Sequence, residues 1–220
     1  MPKKNRTAYF TKRGLAKGNI WKAYSAKTDK IVVLSSDREL AHWLINLEFN
    51  PSVIDFNLGS IVKEIRVDNS IEKIVLSAES FYKEGRPEWQ LVRTASGSDT
   101  TKETVRLDRA KQLALTQGCS YREYTDIDLF PQKSKILPLL RVANLLSFGR
   151  KFQIPDSLRL VAEKYFSEHR SGTLRSYISA TLSYEQSLSL YLFFSEFSKG
   201  KIALEFSESP FYKETGWALT

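Results

Sequence analysis

Residues 31–58 read IVVLSSDRELAHWLINLEFNPSVIDFNL. The apolar run Ile31-Val32-Val33-Leu34 has strand character. Ser36-Asp37-Arg38-Glu39 has the S-x-x-E spacing of a capping box, with Ser36 as N-cap and Glu39 at N3. Leu40, Trp43, Leu44 and Leu47 then recur on one helical face. Pro51 stops that helix, and the β-branched run Ser52-Val53-Ile54-Asp55-Phe56 opens a second strand. Glu39 has two readings at this point: a helix cap or a metal ligand.

Strand signals continue in Ile61–Val67, in Lys73–Ser77 and in Glu79–Tyr82. Lys83-Glu84-Gly85-Arg86-Pro87 is a turn. Glu88–Thr94 pairs back as a hairpin partner. After a polar loop at Ala95–Lys102 comes a helix near Glu103–Gln117 with Val105, Leu107, Ala110, Leu113 and Ala114 apolar, and Gly118 at its C-terminus. Ser120–Thr125 closes the series. The order strand, helix, antiparallel strands, helix, strand predicts a compact mixed α/β domain over residues 31–130.

The composition changes after that. Pro131–Lys135 reads as a linker. Helices follow over Ile136–Phe148, interrupted at Pro138, and over Pro155–His169, Thr173–Leu182 and Tyr184–Ser198. Gly200 ends the last helix, and Lys201–Phe206 and Trp217–Leu219 pair as strands. This outline predicts a mainly helical, winged-helix-like domain over residues 131–220.

Charge is concentrated at the front of the chain. Residues 1–30 hold nine basic residues and one acid, which accounts for the whole formal net charge of +8. Lys3, Lys4, Arg6, Lys12, Arg13, Lys17, Lys22 and Lys27 interleave with Tyr9, Phe10, Trp21 and Tyr24. That pattern suits a DNA-binding arm on an electrically balanced body. The single Cys119 and the two histidines, His42 and His169, exclude an internal disulfide and a Cys/His zinc finger. With one cysteine, a reducing, cytoplasmic setting is expected. No apolar run approaches the roughly 20 residues of a membrane span, so no membrane partner is expected. There is no Walker loop, GxGxxG or nucleophile elbow. His42 reads as structural, Cys119 as an inert buried thiol, and Tyr191, Phe193, Phe194 and Phe197 as core.

Several stretches together resemble one family. They are Tyr24–Thr28 ahead of the first strand, Leu34–Ala41, Val53-Ile54-Asp55, and Arg106–Ala110 running on to Tyr124-Thr125-Asp126-Ile127-Asp128-Leu129. Phe197–Ile202 near the end joins them. Their order resembles TnsA, the endonuclease subunit of heteromeric bacterial transposases, which has a restriction-endonuclease-like fold. The resemblance implies cleavage at transposon ends beside a transposase subunit. It also implies an AAA+ ATPase regulator docked on the C-terminal domain. Mg2+ would sit among a helix glutamate, a strand aspartate and the first position of an E/Q-x-K strand, with the lysine helping the attacking water.

Carried onto this chain, Glu39 takes the helix position and Glu79 the strand position, where the family has Pro-Asp-Phe; these two are the candidate metal ligands. The signature strand Glu88–Ala95 contains no lysine. Arg93 falls at the lysine or at the ligand position depending on register, and a third register uses Glu88 and Gln90. The site therefore reads as degenerate, and the first expectation is a TnsA-like DNA-binding subunit with weak or lost cleavage. The alternatives are an active Mg2+-dependent endonuclease using Glu39, Glu79 and Glu88, and a winged-helix DNA-binding regulator.

Overall fold

The computed structural model describes residues 19–67, 70–94, 101–206 and 214–220. The chain divides into two compact units. The first takes residues 19–22, 32–47 and 52–131 of the described chain, and the second takes 23–31, 48–51 and 132–220. Among the described residues no helix is long and apolar enough to cross a membrane.

Strands β1 (Trp21–Ser25) and β2 (Lys30–Leu34) form a two-stranded sheet of their own. The stretch read as an arm therefore becomes a β-strand from Trp21 onward. Helix α1 (Asp37–His42) starts at Ser36, whose extended backbone lets its Oγ accept the Glu39 N–H at 3.1 Å. It continues as a π-helical stretch, Trp43–Glu48, where the sequence pattern predicts plain α-helix. Leu40, Ala41, Trp43, Leu44 and Leu47 are all buried, so the apolar face of the pattern is kept across the change in winding.

Two long strands, β3 (Val53–Val67) and β4 (Ser70–Tyr82), pair antiparallel. The sequence breaks each of them in two. In β3 the break at Gly59-Ser60 is a bulge: the register shifts between Leu58 and Ile61, and Gly59 has φ +121°. Glycine tolerates that angle, so the strand bends instead of ending. Strand β5 (Glu88–Val92) lies antiparallel to β4, and β6 (Ser120–Tyr124) lies parallel to β5. A parallel neighbour needs a crossover, and α2 (Thr101–Thr116) supplies it. Sheet order is β3-β4-β5-β6. Ala110, Leu113 and Ala114 of α2 pack with Ile65, Ile74, Leu76, Trp89 and Tyr121. Gly118, at φ +71°, ends the helix, and the Cys119 N–H returns to the Ala114 carbonyl at 2.9 Å. A short helix, α3 (Asp126–Leu129), follows β6 with a capping box between Thr125 and Asp128.

The second unit is mainly helical. Helix α4 (Lys133–Gly149) runs through Pro138 without a break. Pro138 is near the start of the helix, where its missing N–H removes one bond, to the Ser134 carbonyl, and it is buried. Then come α5 (Asp156–Glu168), β7 (Ser171–Thr173), α6 (Leu174–Ala180), α7 (Gln186–Ser198), β8 (Ile202–Leu204) and β9 (Gly216–Leu219). The strands form a sheet in the order β7-β9-β8. Tyr165, Tyr177, Phe193 and Trp217 are buried around Phe166, with ring centroids 4.9 to 6.2 Å apart. In the hairpin tip, buried Glu48 accepts from Ser25 Oγ at 2.6 Å and from the Ala26 and Lys27 N–H groups at 2.8 and 3.2 Å.

Helices α4 and α7 pack closely where Gly149 meets Tyr191, and a Cβ on Gly149 would run into the Tyr191 ring. Gly149→Ala is expected to destabilise this unit by about 1–3 kcal/mol through overpacking. Urea unfolding followed at the tyrosine and tryptophan fluorescence measures it.

Candidate functional site

The carboxylates that the sequence marks out sit on different parts of the first unit. Glu39 serves its own helix: one carboxylate oxygen accepts the Ser35 N–H at 2.6 Å, while its N–H bonds Ser36. The bond reaches the residue before the cap, one position beyond the N–H that a usual capping box takes.

Glu79 lies opposite Trp89 in the β4–β5 ladder. Lys63 Nζ reaches both of its oxygens, at 2.9 and 3.0 Å, and Trp89 Nε1 donates to one at 2.9 Å. Burial pushes the Glu79 carboxyl up, but the hydrogen bonds from Lys63 and Trp89 outweigh that and hold it below the usual carboxylate range. Lys63 also lies 5.3 Å from the centre of the Trp89 ring.

Arg93 follows β5 and is bound to Glu123, with Glu103 3.6 Å from its Nη1. Arg106 donates to the other Glu123 oxygen at 2.6 Å, and Tyr121 donates at 3.0 Å. Burial raises Glu123, and the two arginines more than reverse this. Arg93 is thus part of an ion-pair network between β5, β6 and α2.

Glu88 and Gln90 do come together, on the other face of β5 from Trp89. The period of two in a strand requires this. Gln90 Nε2 donates to Glu88 Oε1 at 2.7 Å and to Ser80 Oγ at 3.0 Å. The hydroxyls of Tyr82 and Tyr124 lie 3.1 and 3.4 Å from the same Glu88 oxygen. His42 of α1 sits against the Gln90 side chain, with its ring 4.5 Å from the Tyr124 ring. At strict hydrogen-bond geometry His42 Nε2 and Gln90 Oε1 are both buried without a partner. Arg122 lies over Tyr124 at 4.6 Å. Burial pushes the His42 imidazole down to about 3, with the Arg122 charge acting the same way, so the ring is neutral near pH 7.

This cluster is the candidate site: His42, Ser80, Tyr82, Glu88, Gln90 and Tyr124. Its chemistry is one carboxylate surrounded by neutral donors, a buried amide and a neutral imidazole. Among the described residues no three His, Cys, Asp or Glu side chains gather as a group that could hold a metal ion. The sequence pointed to Glu88 and Gln90 but passed over His42, Ser80, Tyr82 and Tyr124. One signal for His42 was present, since it stands three residues after Glu39 on the same short helix.

Of the basic residues assigned to DNA, Lys3, Lys4, Arg6, Lys12, Arg13 and Lys17 lie outside the described residues. Lys22 is exposed on β1. Lys27 donates to the Asn50 carbonyl at 2.7 Å and so helps to hold the hairpin tip. No protein-family model matches the chain, and no curated protein matches it.

Proposed function

We propose that this chain is a DNA-binding subunit of a transposition complex, similar to TnsA, whose nuclease-like site has lost cleavage. The order α1, β3, β4, β5, α2, β6, with three antiparallel strands and a parallel fourth, is consistent with a restriction-endonuclease-like domain. In such a domain the strand acid and the E/Q-x-K pair face the helix that carries the glutamate. On the face of the sheet shared with His42 of α1 are Ser80 on β4 and Glu88 and Gln90 on β5, and the residue after Gln90 on that side of β5 is Val92. That is the observation carrying the proposal: a serine stands for the acid and a valine for the lysine. The nearby strand lysine, Lys63, is engaged by Glu79 and Trp89.

The donors on this face do not fit Mg2+, which takes hard, mostly anionic oxygen ligands. Glu88 is the one carboxylate in the cluster, and three donors already surround one of its oxygens.

The second unit has the element order of a winged helix: α5, β7, α6, α7, β8, β9. A reader of base edges would present basic or amide side chains from α7. Helix α7 has no lysine or arginine and a single amide, Gln186, at its first position; its Leu192, Phe193, Phe194 and Phe197 are buried, and its one charged residue, Glu196, pairs with Lys199 and Lys201. This favours a partner-binding role for the unit over a sequence-specific regulator. The resemblance names a transposase subunit and an AAA+ ATPase as the partner classes.

The test uses the full chain, a fluorescent duplex and supercoiled plasmid with Mg2+ or Mn2+. Salt-sensitive binding without nicking is expected. Metal-dependent nicking that disappears in Glu39→Ala would overturn the loss of cleavage, and absence of binding at low salt would overturn the DNA role.

A further inference from the structure

Strand β3 is the outer strand of its sheet, and among the described residues no strand but β4 pairs with it. Its outer backbone groups from Ile61 to Arg66 are thus open to another chain. Side chains alternate along this stretch. Ile65 is buried toward α2, whereas Val62, Glu64 and Arg66 are exposed on the opposite face. Lys73 of β4, cross-strand from Glu64, holds it at 2.6 Å.

We propose that β3 is a dimerisation edge, pairing antiparallel with β3 of a second copy about a two-fold axis at Ile65. In such a pair each residue meets its symmetry counterpart, and residues directly opposite point to the same face. The choice of register follows from charge. An axis at Lys63, Glu64 or Arg66 sets a charged residue against its own copy. An axis at Ile65 sets Glu64 against Arg66 of the second copy, twice by symmetry. Each row across the joined sheet then reads Lys73, Glu64, Arg66 of the second copy, with the acid between two bases. Ile65 meets Ile65 of the second copy on the α2 side, which continues the apolar layer. The two four-stranded sheets become one sheet of eight strands.

Charges on an outer strand usually block edge pairing. Here the spacing of Glu64 and Arg66 makes them complementary in one antiparallel register, so the same residues that reject other strands select a second copy.

Sedimentation velocity of the full chain over a range of concentrations tests this. A concentration-dependent dimer is expected. Arg66→Glu alone, or Glu64→Arg alone, sets like charges opposite each other in both rows and should weaken the dimer about tenfold or more. The double exchange E64R/R66E restores opposite charges and should recover most of the association. Circular dichroism melts of each variant establish that the fold is kept. A chain that stays monomeric at all concentrations overturns the proposal. So does a dimer insensitive to the single exchanges, or a double variant no better than the singles.

Discussion

A chain beginning at residue 19 should bind duplex DNA about a hundredfold or more weakly than the full chain at about 50 mM salt. Residues 1–18 hold six basic residues and no acid, so their removal takes the net charge from +8 to +2. Affinity for phosphates comes from releasing condensed counterions, and the dependence of log K on log salt scales with the number of contacts. With six contacts gone, the slope should become shallower by about 5. The cut is placed by structure. Asn19 Nδ2 and Trp21 Nε1 donate to Asp37 at 2.9 and 2.8 Å, in the first turn of α1, so truncation beyond Asn19 would disturb the helix as well as the charge. Fluorescence anisotropy at several salt concentrations gives both numbers. Unchanged affinity and slope would assign DNA contact to the body of the protein.

The elements legible in the sequence are those fixed by local chemistry. The Ser36-to-Glu39 spacing starts α1, Gly118 ends α2, and the apolar positions of α2 are those that pack on the sheet. Elements decided by distant residues were not legible. Gly59-Ser60 breaks β3 in the sequence, but pairing with β4 carries the strand across a bulge. Ser171–Thr173 has no strand signal and becomes β7 because Gly172 lies opposite Trp217 in β9. Pro138 marks an interruption only if the helix must begin after it.

The candidate site was half legible for the same reason. Reading Glu79 as the strand acid needs the parity of β4, and parity is set by pairing. In the ladder Glu79 shares a face with Trp89, while its neighbour Ser80 shares one with Glu88. A one-residue difference moves a side chain to the opposite face of the sheet. The sequence also offered no sign that Lys63, sixteen residues earlier, would be the partner of Glu79. Glu88 and Gln90 were found together because their i, i+2 spacing puts them on one face in any register.

His42 should make the first unit acid-sensitive well above the range where its paired carboxylates titrate. Burial holds its folded value near 3, against 6.5 for a free imidazole. The charged form is thus disfavoured in the folded state. Stability is fully present above pH 6.5 and falls as the pH drops from 6.5 toward 3, by about 1.4 kcal/mol per pH unit. Glu79 and Glu123 are both held below the ordinary 4.5 by their basic partners, so between pH 6.5 and 5 they stay ionised and contribute little slope. The Gln90 side chain beside the ring acts the other way and is outweighed by burial. Arg122 opposes a second positive charge, and the single acid nearby, Glu88, is already surrounded by Gln90, Tyr82 and Tyr124. Urea unfolding of the wild type and of His42→Leu across this window gives the measurement. The absolute stabilities will differ, because leucine leaves Gln90 Oε1 facing an apolar side chain. The informative quantity is the slope against pH. The wild type should be steeper by about 1.4 kcal/mol per unit, and equal slopes would mean that His42 is protonated inside the fold.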